Sequence, residues 1–224
     1  MSALRNVFAR TVRTSLARNA VSVRPVAALA ARANFMVAHM DRRTFATHLP
    51  NDFTHPDASL VRAQQLVDEG ASFHSNGMVP MAMSSFQKSI NERPTASAHY
   101  NMGVCYFEMK DYQSAIHSFE ESLKLEDSPD VHVNLAVAHI QFNGNKNDAL
   151  KHFRAAANLA PEDVEIQFNL AAASEAVGDF DTAITAYAAA ESLGMEKAGL
   201  HLRNVKTKKF AQLMKEAEVR ETKQ

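Results

Sequence analysis

The sequence predicts an all-α chain, built as a solenoid of antiparallel helix hairpins, and three observations carry that expectation. The first is a set of residue columns that recur with a period near 34. Ala82, Ala115, Ala149 and Ala183 are spaced by 33, 34 and 34, and each is followed four residues later by a ring: Phe86, Phe119, Phe153 and Tyr187. The second is an upstream column of small residues, Gly70, Gly103, Ala136 and Ala171, spaced by 33, 33 and 35. The third is composition. With 7 Gly and 7 Pro in 224 residues and abundant Ala, the chain favours helix over loop or sheet.

Each column has a physical reason in a helix pair. The Gly/Ala column lets two helices cross closely, the second Ala column does the same on the partner helix, and the ring one turn later fills the space between units. Turn residues fall where a hairpin needs them: Asn76-Gly77, Lys110-Asp111, Asn143-Gly144-Asn145 and Gly178-Asp179. Pro94, Pro129 and Pro161 stand at or near the unit boundaries, where helices must stop.

This pattern resembles the tetratricopeptide repeat. The clearest copies read Tyr100-Asn101-Met102-Gly103…Tyr106…Tyr112…Ala115-Ile116…Phe119…Leu123 and Phe168-Asn169-Leu170-Ala171…Gly178-Asp179-Phe180…Ala183-Ile184…Tyr187. The resemblance covers residues 63–194 in four units, 63–95, 96–128, 129–163 and 164–194, and implies a right-handed superhelix. No Trp occupies the usual early aromatic position, the first unit is divergent, and the third is expected to hold one extra residue in its Asn-rich turn. Residues 195–224, with Leu200, Val205, Phe210, Leu213 and Met214 on a charged background, read as a basic capping helix and tail. Residues 46–62 read as an irregular arm.

The formal net charge of −1 conceals a segregation. Residues 1–45 carry eight Arg, no Lys and one acid, Asp41. Residues 46–196 hold 8 basic and 21 acidic side chains, a surplus of −13, and the tail from Lys197 returns to +5. In the first segment Leu4, Phe8, Val12 and Leu16 form an apolar stripe at helical spacing with Arg mostly opposite. That is the signature of a mitochondrial presequence. Arg43-Thr44-Phe45-Ala46 resembles a processing signal, so the mature protein is expected to begin at Phe45 or Ala46, on the matrix side. A disordered basic arm that binds nucleic acid or anionic lipid, and a plastid transit peptide, are the competing readings. No uninterrupted apolar h-region and no stretch near the roughly 20 residues of a membrane span occurs.

The resemblance implies a concave groove lined by the first helix of each unit. The residues expected there are Tyr100, Asn101, Val104 and Phe107, then Val133, Asn134, Val137 and Ile140, then Phe168 and Asn169. Asn101, Asn134 and Asn169 form a column. In family members that grip extended peptides such Asn residues bond the ligand backbone, although a purely structural role fits equally. The apolar members of the set would form an exposed patch suited to a partner helix or extended apolar segment. Family members that clamp carboxylate tails of chaperones need inward cations, and the four repeats supply none. Arg203 and Lys206 on the last helix come nearest, and with Lys208 and Lys209 they offer a second contact. That basic tail could touch RNA or anionic lipid, but solvating a capping helix is the plainer reading.

No catalytic, cofactor-binding or small-molecule motif appears, and enzyme activity is not expected. His132 and His139 lie seven apart, about 10 Å along a helix, too far for joint metal ligation without a third residue between them. The single Cys105 excludes an intramolecular disulfide and reads as a buried apolar residue. His99 and His117 read as partly exposed. The functional expectation is therefore a mitochondrial scaffold, a subunit or assembly factor of a larger complex. A receptor for exchangeable peptide clients is the alternative.

Overall fold

The computed structural model describes residues 57–222, which form nine helices. The expected presequence, its Arg43/Phe45/Ala46 processing site and most of the arm lie outside these residues. The helices pair as hairpins: α1 (Ala58–Ser75) with α2 (Val79–Glu92), α3 (Ala96–Glu108) with α4 (Tyr112–Leu125), α5 (Pro129–Asn143) with α6 (Lys146–Leu159), and α7 (Val164–Val177) with α8 (Phe180–Ser192). A long α9 (Glu196–Glu221) closes the array.

Local chemistry sets the boundaries. Thr95, Asp111, Asn145, Asp163 and Asp179 each accept a backbone N–H of the first turn with their side chains, as N-caps do. Asp57 does the same for α1, accepting from Ser59 N at 3.0 Å, and also pairs with Arg93. The helix therefore starts at Ala58, and residues 58–62 of the expected arm are helical.

Every hairpin turns through one left-handed residue: Gly77 (φ 74), Lys110 (φ 63), Gly144 (φ 69) and Gly178 (φ 85). Counting back seven from each gives the true small-residue column, Gly70, Gly103, Val137 and Ala171. The third turn holds no extra residue, because α5 and α7 are each followed by a two-residue connection. The expected member Ala136 was one position early, so the third unit's register shifts by one residue. On a helix that slip rotates every side chain by about 100°.

The interior runs as a chain of three clusters. Val67, Phe86, Met102 and Cys105 fill the first, and Tyr100, Val104, Phe119 and Leu135 the second. The third is the largest, extending from Val133 through Phe153, Phe168 and Tyr187 to Ala198, Leu202 and Val205 of α9. The docked part of α9 thus sits where the first helix of a fifth unit would sit: Leu202 and Val205 lie 34 residues after Phe168 and Ala171. α9 is the expected cap.

Candidate interaction surface

The register decides which side chains a partner could reach. Of the ten expected groove residues, Tyr100, Val104, Val133, Asn134, Val137, Phe168 and Asn169 are buried, and only Asn101, Phe107 and Ile140 are partly exposed. The anticipated apolar patch is therefore interior. Val133 and Val137 were placed one position off the inward row, and the other buried members close against neighbouring helices. Val104 and Tyr100 pack with Phe119, while Phe168 lies edge-on to Tyr187 and His201.

The Asn column dissolves for the same reason. Asn134 is the counterpart of Tyr100 and Phe168, not of Asn101 and Asn169, and its amide donates to the Tyr100 hydroxyl at 2.9 Å across a separation of 34 residues. Its Oδ1 is buried with no partner among the described residues. Asn101 donates to Ser97 O at 2.8 Å, a bond within its own helix. The distance from small column to Ala column is 12 residues in the first, second and fourth units, and in the third only Val137 satisfies it. The constant spacing of 12 is the sequence signal that sets this register, and it puts a Val where the other units have Gly or Ala.

On that register the row nearest the surface lies in the last turn of each first helix. Phe107 and Glu108 on α3 correspond to Gln141 and Phe142 on α5 and to Glu175 and Ala176 on α7. Phe142, which the uncorrected register passed over, is 49% exposed. The flanking acids are held in place. Glu108 meets His74 Nε2 at 2.9 Å, and Glu175 accepts from Tyr187 OH at 3.0 Å and from Lys208 Nζ at 2.6 Å. Beside the Glu175 carboxylate, the buried Tyr187 hydroxyl is held protonated far above its ordinary range, chiefly by desolvation and then by that charge.

On α9, Lys208 and Lys209 are used internally, pairing with Glu175 and Asp181, and Lys197 lies over the Phe168 ring at 4.6 Å. Arg203 and Lys206 are exposed.

The histidines form a stack. His152 stands between the two α5 histidines, its ring centroid 5.3 Å from His132 and 5.6 Å from His139. His132 bonds His152 through their Nδ1 atoms at 3.0 Å and Asp127 through Nε2 at 2.9 Å. Desolvation, reinforced by the neighbouring His132 and His139, pushes His152 down to about 4. Even so, no group of three or more His, Cys, Asp or Glu among the described residues is placed to hold a metal ion. His99 is partly exposed and His117 exposed, as expected. Both border an open cleft of about 430 Å³ between α2, α3 and α4. Cys105 is fully buried and its thiol is raised to about 12 by desolvation, so it is no nucleophile. Among the described residues no helix is long and apolar enough to cross a membrane.

Residues 96–128 match a family model described as tetratricopeptide repeat, and residues 141–199 match a second of the same description. The fold is similar to that of YrrB, described as a TPR protein with an unusual peptide-binding site. The TM-score is 0.59 at 18% identity, over 68% of this chain and 84% of that one. MamA from Desulfovibrio magneticus RS-1 is similar over 69% of this chain and 94% of its own, with a TM-score of 0.58 and 20% identity. A comparison with curated protein sequences finds no match.

Proposed function

We propose that this chain, which carries tetratricopeptide repeats, is a non-enzymatic interaction scaffold in mitochondria, a subunit or assembly factor that holds a segment of a partner protein along its first helices. Tetratricopeptide repeats are protein-interaction scaffolds, so binding is the premise and its particulars are the proposal. The observation that carries it is the exposed ring of Phe142 at the end of α5, on a row whose counterparts are Glu108 on α3 and Ala176 on α7, in a body with a surplus of −13. Such a strip suits a helix or extended segment that offers apolar side chains together with Lys or Arg. The buried apolar residues behind it fix the curvature and do not touch the partner.

Phe142→Glu is the direct test. The side chain is half in solvent, so helicity by circular dichroism should be unchanged, while a partner that co-purifies stoichiometrically from mitochondria should be lost. Retention of that partner by the variant would remove this strip as the binding face. Heterogeneous, salt-labile clients in place of one stable partner would favour the exchangeable receptor. N-terminal sequencing of the endogenous protein addresses location: a start near Ala46 supports import, and an intact Met1 sinks it.

A further inference from the structure

α9 does more than cap. At 26 residues it is about 39 Å long, yet its buried residues, Ala198, Gly199, Leu202 and Val205, all lie in its first ten positions. From Lys206 to Thr222 no residue is buried, and Phe210, Leu213 and Met214 are 64%, 52% and 49% exposed. These three recur at i, i+3 and i+4, and Ala217 continues the same stripe one turn on. The helix is held at its exit by Lys208 on Glu175 and Lys209 on Asp181, so the stripe projects past the last hairpin as a rigid rod.

The charges along the rod say what covers it. Residues 203–209 contain Arg203, Lys206, Lys208 and Lys209 and no acid, whereas residues 215–221 contain Glu216, Glu218 and Glu221 against Lys215 and Arg220. Two copies laid antiparallel place the basic stretch of each beside the acidic stretch of the other, and oppose their helix dipoles. A parallel pair would stack like on like. An anionic lipid surface is the poorer match, because three carboxylates lie at the far end of the stripe. We infer that the projecting half of α9 pairs antiparallel with the same half of a second copy of this chain, forming a two-fold dimer.

Sedimentation equilibrium of the full chain tests this directly. A species of twice the 24.7 kDa monomer mass should appear as concentration rises through the micromolar range. Phe210→Glu with Leu213→Glu should weaken self-association at least about tenfold, with helicity retained because neither ring nor leucine contacts the core. If that double variant loses helicity, charge exchange decides, since it leaves the stripe intact. Glu216→Lys/Glu218→Lys/Glu221→Lys and Arg203→Glu/Lys206→Glu should each dimerise poorly alone and recover as a mixed dimer when combined. A wild-type chain that stays monomeric overturns the inference, as does a dimer indifferent to the stripe and charge variants. So does a monomer that instead co-sediments with phosphatidylglycerol vesicles, which would make the stripe a lipid surface.

Discussion

The first two hairpins and the last two reach the same geometry by different packing. In the first pair the helices are pressed together over glycine. A Cβ added at Gly70 would lie 2.5 Å from the Phe86 ring, and one at Gly103 would lie 2.7 Å from Phe119. The approach is also clamped by a buried hydroxyl, with Ser89 donating to Ala63 O at 2.8 Å and Ser122 to Ala96 O at 2.9 Å, both across 26 residues. In the last pair neither device survives. Val137 and Ala171 stand at the glycine positions, Ala156 and Ala190 at the serine positions, and one continuous apolar cluster runs through to α9. One half is held by close backbone approach and directed bonds, the other by non-directional burial, and the repeat tolerates either.

The largest expected effect that would break this comparison is at the glycine column. Gly103→Val forces a branched side chain against the Phe119 ring and should destabilise by about 1–3 kcal/mol, read as a lower denaturant midpoint. The counterpart Ala171→Gly should cost only about 1 kcal/mol, the helix-propensity difference. Equal losses at the two sites would mean the halves do not differ in packing.

An intermediate effect concerns pH in the last two hairpins. His152 ordinarily titrates at 6.5 and is depressed to about 4 in the fold by desolvation and by His132 and His139. The folded state therefore favours the neutral ring. That stabilisation is complete above about 6.5 and is lost as pH falls toward 4. The groups facing the ring are His132 and His139 on α5, with Asp127 behind His132, and Lys151 and Asp148 on its own helix. Thermal midpoints measured across that window should fall more steeply for the wild type than for His152→Phe. Identical slopes would mean that His152 does not contribute to acid lability.

The smallest effect is at the serines. Ser89→Ala and Ser122→Ala should each cost about 1 kcal/mol, and because the sites are a full repeat apart the losses should add. A double variant no less stable than either single one would show that the hydroxyl bonds are incidental to the glycine approach.

The period, the hairpin order and the cap were legible because they rest on columns that chance does not align, and on turn residues with few alternatives. The surface was harder to read. Gly70 and Gly103 imply a small residue in their column, which points to Ala136 instead of Val137, and that one-position slip puts Val133, Val137 and Ile140 on the wrong face and hides Phe142. Burial on a helix turns by 100° per residue, whereas spacing between repeats tolerates an error of one, so fold survives a slip that a binding face does not. The placement of His152 between His132 and His139 was likewise beyond reach, because it depends on how α6 lies against α5.

An array in which each hairpin touches only its neighbours need not open all at once. The cluster that includes α9 is the most extensive, and Lys208 and Lys209 fasten its outer edge, whereas among the described residues α1 packs mainly against α2 and its cluster is the smallest. Opening should therefore start at α1 and α2 and travel toward the carboxyl end. Amide hydrogen exchange would record this as a gradient of protection along the chain, lowest at Ala58–Glu92 and highest around Phe153 to Tyr187. Of the helices in the array, α9, made after all the hairpins, would then be the one that seals the fold.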